Sequence, residues 1–207
     1  MTRKTAEADE TAELGRQAAK SRRTQEAIIN AVIELITEGG YAAASSTRIA
    51  RRAGVSWGAV QHHFGGKEQI LEAVLARSHE TFYSKLSDER FTRGSLERRI
   101  DQFVETAWEH YQGAEYTAAL EILLASRGHG GGNGGHEVRL NHESHLHLWR
   151  SIFHDVKISD LRMQEAIYMV HCTLTGILIE TILEPSTFDE QRYLRLLKRV
   201  VKGMLTA

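Results

Sequence analysis

Apolar side chains recur along this chain at the three- and four-residue spacing of an α-helix, and no segment alternates apolar and polar residues as a strand would. The first apolar stripe consists of Ala27, Ile28, Ala31, Val32, Leu35 and Ile36. Similar stripes follow in residues 70–86, 96–111, 160–183 and 188–205. The chain has one proline among 207 residues and is rich in Leu, Ala, Glu and Arg, which favour helices. The sequence therefore predicts an all-α fold.

Breaks that contain glycine divide the predicted helices into an N-terminal and a C-terminal group. Residues 1–20 have no apolar face and are predicted to form a flexible tail. Residues 21–66 hold three predicted helices, the first over 22–38, and we assign them to one domain. Residues 67–207 are predicted to form a helical bundle.

Local signals place some connections within that bundle. The glycine-rich run 128–135 is predicted to be a flexible connector before a helix over 136–155. Thr187 and Glu190 have capping-box spacing, which predicts the start of the last helix.

Basic residues concentrate near the N-terminus although the chain has a net charge of −1. Residues 20–67 contain seven basic and three acidic residues. Phosphate binding needs a local basic face rather than a basic protein, so this distribution fits a DNA-binding domain on an acidic body.

Three features indicate the cytoplasm and no membrane partner. A lone Cys172 excludes an internal disulfide and fits a reducing compartment. The polar N-terminus lacks the apolar region of a signal peptide. No stretch is expected to approach the roughly 18–20 apolar residues that span a bilayer.

The residue types in 47–60 suit two short helices that meet at a tight turn. Ala53 is small enough for the helices to cross closely, Gly54 supplies the turn, and Ser56 can cap the second helix. Such a helix-turn-helix can lay its second helix in the DNA major groove, which is about 12 Å wide. Phosphates would then lie near the basic side chains of the first helix, namely Arg48, Arg51 and Arg52.

This segment resembles the DNA-binding signature of the tetracycline-repressor (TetR) family. The shared pattern is Thr47-x-Ile49-Ala50-x-x-Ala53-Gly54-Val55-Ser56-x-Gly58-x-Val60-x-x-His63-Phe64-x-x-Lys67. The family usually has tyrosine where this chain has Gln61. Glutamine can make a bidentate contact to adenine, so the base preference of other members is not carried over.

The resemblance implies a transcriptional regulator, a repressor rather than an enzyme, that needs no cofactor. It would bind a palindromic operator in double-stranded DNA and be released by a small-molecule effector. Lys67 would hold a phosphate with its ammonium group and the free N–H groups at the start of its helix. Carried over onto this chain, the DNA-binding residues are Ser46, Thr47, Arg48, Ser56, Trp57, Gly58, Ala59, Gln61, His62 and Lys67.

The last two predicted helices are the expected homodimer interface. Reading a palindrome needs two recognition helices about 34–36 Å apart, which one short motif cannot supply. The resemblance implies a four-helix bundle across a two-fold axis. The alternative is that both helices fill the core of one chain. The predicted interface residues are Leu174, Gly176, Ile177, Leu197 and Val201.

The middle of the chain holds most of the remaining aromatic residues. In the family that this chain resembles, a cavity between the central helices binds the effector, and such cavities are mostly apolar with a few polar groups. Ordinary core packing is the alternative for each residue. The candidate ligand-binding residues are Phe103, Trp108, Tyr111, Tyr116, His145, Trp149, Tyr168 and His171.

Two other functions remain open at this point. A helix-turn-helix protein that needs no effector would have a C-terminal core without a cavity. A small metal-dependent hydrolase would use His142 and His145, one helical turn apart, beside Glu143 or Glu121. These histidines have no cysteine partners and no His-Glu-x-x-His arrangement, so we expect no metal site.

Overall fold

The structure, a computed structural model, describes residues 2–126 and 142–206, with side chains for 13, 15–126 and 143–206. Within these ranges it has helices and no strand, which confirms the predicted all-α class. The α-helices are α1 (Thr2–Gly39), α2 (Ser46–Ala53), α3 (Trp57–Phe64), α4 (Lys67–Leu86), α5 (Leu96–Tyr111), α6 (Ala114–Ser126), α7 (His142–Ile152), α8 (Asp160–Leu183) and α9 (Glu190–Thr206). Short 3-10 turns cover Tyr41–Ala43 and Glu89–Thr92.

Helix α1 is longer than the sequence pattern predicts. It begins at Thr2 rather than near residue 22, because Ala, Glu, Lys and Arg are good helix formers even without an apolar face. Its described side chains from Glu13 to Lys20 are mostly exposed. The flexibility of residues 1–20 stays a prediction.

The predicted connector 128–135 and the first residues of the predicted helix 136–155 lie outside the described residues. The described part of that helix ends at Ile152. Helix α8 has the predicted bounds. The capping box predicted for α9 is wrong: the Arg192 N–H donates to the Asp189 carboxylate at 3.1 Å, and the Thr187 hydroxyl instead donates to Glu184 at 2.9 Å.

The contacts divide the described chain into two compact units, residues 2–75 with 118–126 and residues 76–117 with 142–206. The boundary lies within α4, whereas the sequence places it after residue 66. In the first unit, α1 packs on α2 and α3 and buries its predicted apolar stripe. The core side chains that these helices share include Ile28, Val32, Leu35, Ile36, Ile49 and Val60.

The second unit is a bundle in which α8 packs on α5, α7 and α9. Its core includes the buried side chains of Ile100, Phe103, Val104, Trp149, Phe153, Leu174 and Leu178. The C-terminal helical bundle predicted from the sequence is therefore confirmed as an architecture. On α6, Ala118, Ala119 and Ile122 are buried, whereas Leu124 is 46% exposed.

Helix α8 has the length and the apolar composition that a membrane-spanning helix needs, so the expectation that no segment does is wrong on these two measures. A third of its most apolar window is buried within the described chain. Packing on three neighbouring helices accounts for the apolar residues of its inner face. Length and composition are weak support for a membrane span, since core helices meet the same criteria.

Candidate DNA-binding site

The turn between α2 and α3 has the geometry predicted for a helix-turn-helix. Gly54 lies in the left-handed region, with φ of 70°, and its N–H donates to the carbonyl oxygens of Ala50 and Arg51. The Val55 N–H also donates to Ala50, at 3.0 Å. A residue with a Cβ would be strained here, because only glycine adopts positive φ without steric cost.

Ser56 caps α3 as predicted, since its hydroxyl oxygen accepts a hydrogen bond from the Ala59 N–H at 3.2 Å. The buried side chain of Val60 anchors α3 to the rest of the unit. The opposite face is open, with Ser56, Gly58, Gln61 and His62 exposed and Trp57 and Ala59 half-buried. The structure thus places six of the predicted DNA-binding residues together on one accessible helix.

Gly58 has no structural requirement within the chain. A Cβ built there would meet only the Ser56 hydroxyl oxygen, at 3.8 Å, which is ordinary van der Waals contact. The absence of a side chain is therefore free to serve the close approach of another molecule.

Helix α2 presents the second group of predicted DNA-binding residues. It begins at Ser46 with Ser45 at the N-cap position, where the backbone is extended and the Ser45 side chain makes no capping hydrogen bond. Thr47 and Arg48 are exposed, and Ser46 is half-buried.

Arg52 is paired within the chain, which was not expected for the three arginines of α2. Its guanidinium pairs with Glu38 at 2.7 Å and with Glu34 at 3.0 Å, both on α1. The hydrogen bond from Arg52 holds the pKa of the Glu38 carboxyl below its usual value. This exposed network links α2 to α1, and Arg48 and Arg51 are exposed as well.

Lys67 is the first residue of α4, as predicted. Its ammonium nitrogen lies 4.7 Å from the centre of the Tyr41 ring, a cation–π contact. Sequence reasoning missed Tyr41, because the two residues are far apart in sequence. The His63 Nδ1 lies 3.5 Å from the Ser21 hydroxyl of α1, and Phe64 is half-buried.

The eight candidate effector residues fall into separate groups within the second unit. Phe103 and Trp149 pack edge to face with ring centres 4.9 Å apart. Tyr111 stacks on Tyr116 at 4.0 Å, and its hydroxyl lies 2.7 Å from His171 Nδ1. Burial raises the pKa of both phenols, so each is a neutral hydrogen-bonding group.

The other candidates are more scattered. Trp108 is buried, whereas Tyr168 is 40% exposed. His145 is buried against the rings of His79, at 5.5 Å, and Tyr83, at 5.3 Å.

The second unit also has a groove, and none of the eight candidate effector residues lines it. It has a volume of about 770 Å³ and lies between the end of α4, α7 and the start of α8. Its polar lining includes Ser87, Asp88, Ser144, His147 and Arg150. Nothing in the sequence periodicity marked these residues, because the groove forms only where α7 meets the end of α4 and the start of α8.

Among the described residues, no group of three His, Cys, Asp or Glu side chains could hold a metal ion. The side chain of His142, half of the histidine pair considered from the sequence, lies outside the described residues. Glu121 is engaged elsewhere, since it accepts a hydrogen bond from the Tyr41 N–H.

Four of the five predicted interface side chains are not on the surface. Leu174, Ile177, Leu197 and Val201 are all buried within one chain, where α8 packs on α9. Only Gly176 is exposed. The alternative reading of these four residues, as the core of one chain, is therefore correct.

A different apolar face of the same two helices is exposed. On α8, exposed residues repeat every three or four positions, as in a helix-packing seam. They are Met169, Cys172, Gly176, Ile179 and Leu183, and Leu161, eight residues before Met169, is exposed as well. On α9 the exposed residues Tyr193, Leu196 and Val200 have the same spacing. We call these residues the outer face of α8 and α9.

Part of the N-terminal unit is similar to a known protein family. Residues 28–74, from α1 into α4, match the family model described as bacterial regulatory proteins, tetR family. The chain is 46% identical over 59 residues to the HTH-type transcriptional regulator TtgW of Pseudomonas putida, covering 28% of this chain and 44% of TtgW. It is 35% identical over 118 residues to the regulator BetI of Escherichia coli O127:H6, covering 54% of this chain and 55% of BetI. The matched part thus spans about half the length of these relatives, both of which are named as HTH-type transcriptional regulators.

Solved structures extend the likeness of fold to most of the chain. A tetR-family transcriptional regulator from Streptomyces coelicolor aligns with a TM-score of 0.71 at 17% identity, over 88% of this chain and 80% of that one. A transcriptional regulator from Rhodococcus sp. Rha1 aligns with a TM-score of 0.69 at 19% identity, over 87% of this chain and 95% of that one. Residues 28–74 are thus similar to the tetR family of bacterial regulatory proteins, and the solved structures extend the likeness of fold to most of the chain.

Proposed function

We propose that this protein is a cytoplasmic transcriptional repressor that binds an inverted-repeat operator as a homodimer and is released by a small-molecule effector. The observation that carries the DNA-binding part is α3 itself, which Ser56 caps and Val60 anchors while its outer face stays exposed. An exposed helix of this kind, set at a tight turn after a helix with free arginines, fits the major groove.

Within this proposal, Gln61 and His62 read base edges, and Trp57 meets thymine methyl groups or sugars. Gln61 is exposed on α3, and its amide can contact the N6 and N7 atoms of adenine together. Thr47, Arg48 and Lys67 position the domain on phosphates without reading sequence.

Replacing Gln61 by alanine should relax base preference at one position of each half-site. A bidentate contact to adenine discriminates by roughly 1–3 kcal/mol, so this position should lose most of its information content. The measurement is selection of bound duplexes from a random pool, with wild type, Gln61→Ala and the exposed-residue control Gln191→Ala. An unchanged motif for Gln61→Ala would show that Gln61 does not read a base; the lack of any inverted repeat for wild type would overturn the proposed function.

The dimer is proposed to form through the outer face of α8 and α9. Leu161 and Leu183 are 66% and 68% exposed in a single chain, and large exposed apolar patches on soluble proteins mark interaction sites. A two-fold axis would pair this face with itself and place two α3 helices for one palindrome. Gly176 lies on this face with no atom within 4 Å of an added Cβ, so a partner helix can approach its backbone.

Gly176→Leu should convert the dimer to monomers without unfolding the chain. The single chain has room for the side chain, but a two-fold interface would hold it twice, and each overpacked site costs about 1–3 kcal/mol. The dimer dissociation constant should therefore rise at least about 30-fold. Sedimentation velocity checks this, with Gly15→Leu as control, because Gly15 of α1 is equally open. A Gly176→Leu protein that sediments as a stable dimer would contradict the proposed interface.

Effector binding is proposed for the second unit. Its support is the stacked pair of neutral phenols, of the buried Tyr111 and the half-buried Tyr116, beside His171, with the groove of about 770 Å³ as a second candidate location. Repeating the DNA selection with a mixture of small metabolites tests it. Loss of the inverted repeat on adding one compound supports release by an effector, and an unaffected selection favours a regulator that needs none.

A further inference from the structure

A carboxylate of α6 accepts a hydrogen bond from the turn between α1 and α2. The Tyr41 N–H donates to a carboxylate oxygen of Glu121 at 2.7 Å, across 80 residues of sequence. The same oxygen would lie 3.4 Å from a Cβ built on Gly40, where φ is +73°, so the carboxylate packs directly on this turn. A hydrogen bond to an ionised acceptor is stronger than one between neutral groups, so Glu121 fixes the backbone position of Tyr41.

The Tyr41 ring in turn holds a basic side chain. The Lys67 ammonium nitrogen lies 4.7 Å from the ring centre, and Lys67 begins α4 directly after the turn that follows α3. A lysine side chain free in solvent samples many rotamers, and that freedom is lost on binding a phosphate. A lysine already held by an aromatic ring loses less of it.

We propose that Glu121 and Tyr41 are positioning residues for DNA binding: Glu121 fixes the backbone of Tyr41, and the Tyr41 ring holds the Lys67 ammonium where it meets a DNA phosphate. The inference rests on the proposed DNA-binding function and adds two residues that do not themselves touch DNA. Glu121, Tyr41 and Lys67 all belong to the first compact unit.

The direction of the change in DNA affinity distinguishes a positioning role of Glu121 from the effect of its negative charge alone. Removing a carboxylate from a protein that binds a polyanion should by itself leave binding unchanged or tighten it. Glu121→Ala is expected to weaken binding by about threefold to tenfold, because the Lys67 phosphate contact is lost in part. Tyr41→Leu should have an effect of the same size. The charge-matched control Glu109→Ala, at an exposed residue of α5, should not weaken binding.

The deciding experiment is a double-mutant cycle on the full chain with a fluorescent duplex that carries the sequence selected by wild type. Dissociation constants are measured over a range of KCl concentrations for Glu121→Ala and Tyr41→Leu, each in wild-type and Lys67→Met backgrounds. Lys67→Met should by itself make the slope of log affinity against log KCl concentration shallower by about one unit. In that background, neither Glu121→Ala nor Tyr41→Leu should weaken DNA binding further. The proposal would be overturned if the affinity losses of Glu121→Ala and Tyr41→Leu added in full to that of Lys67→Met. It would also be overturned if Glu121→Ala bound the duplex as tightly as wild type.

A measurement without DNA keeps the proposal testable if Glu121→Ala does not fold. In the free protein, the ring current of Tyr41 should shift the Lys67 side-chain methylene protons upfield in NMR spectra. The milder variant Glu121→Gln should reduce this shift, and Tyr41→Leu should abolish it. An upfield shift that Glu121→Gln leaves intact would refute the link from Glu121 to Lys67. If wild type itself binds no duplex, the proposed function fails, whatever the NMR result.

Discussion

Replacing Arg99 by alanine is expected to lower the free energy of unfolding by about 3–5 kcal/mol. Arg99 lies on α5 and is only 1% exposed. Its guanidinium donates to both carboxylate oxygens of Asp155, at 2.6 and 2.8 Å, and to the Ile152 carbonyl at 3.2 Å. Alanine would leave a void in the core and a buried carbonyl without this donor, and the link from α5 to the end of α7 would be lost.

Urea unfolding followed by circular dichroism measures this loss. The matched control is Arg98→Ala, an exposed neighbour that should change the unfolding free energy by no more than about 0.5 kcal/mol. Asp155→Asn should cost less than Arg99→Ala, because the Asp155 side chain is 55% exposed and water screens its share of the ion pair. An Arg99→Ala protein within about 1 kcal/mol of wild type would show that the buried guanidinium is not a main link of the bundle.

Acidification from about pH 6.5 to pH 4 is expected to lower the free energy of unfolding by about 3 kcal/mol through His110. His110 is 5% exposed, and burial, assisted by the nearby charge of Lys85, lowers its pKa from 6.5 to about 4. The unfolded chain takes up the proton near pH 6.5, whereas the folded chain keeps His110 neutral until about pH 4. Protonation therefore favours the unfolded state across this window. Burial also lowers the pKa of His79 and His171, which adds in the same direction.

Unfolding free energies measured at several pH values between 7 and 4 test this expectation. His110→Asn removes the titrating group and should flatten the pH dependence, while the exposed control His62→Asn on α3 should retain it. Equal stability of wild type at pH 7 and pH 4.5 would contradict the assignment of a neutral, buried His110.

Much of the candidate DNA-binding site could be predicted from sequence because its geometry is local. Gly54 ends α2 and Ser56 caps α3 through hydrogen bonds to residues no more than four positions away. The buried stripe of α1 and the bounds of α8 follow from periodicity, which one segment contains by itself. The difference at Gln61, where the family usually has tyrosine, was visible for the same reason.

The misassigned residues share a different cause. Arg52 was expected to face phosphates, yet Glu34 and Glu38 hold it. Leu174 and Leu197 were expected at a dimer interface, yet they are buried within one chain. In each case the residue type was compatible with two environments, and the choice depended on a neighbouring helix that the local sequence does not specify.

The sequence by itself determined the all-α class, the helix-turn-helix and the residues that α3 exposes, since helical period, glycine turns and serine caps act over a few residues. Only the tertiary structure decided which face of α8 and α9 is covered, how Arg99 is paired, and that Glu121 reaches the Tyr41–Lys67 pair. These depend on contacts between segments distant in sequence, and a pattern of apolar and charged residues is compatible with several such pairings until the helices pack.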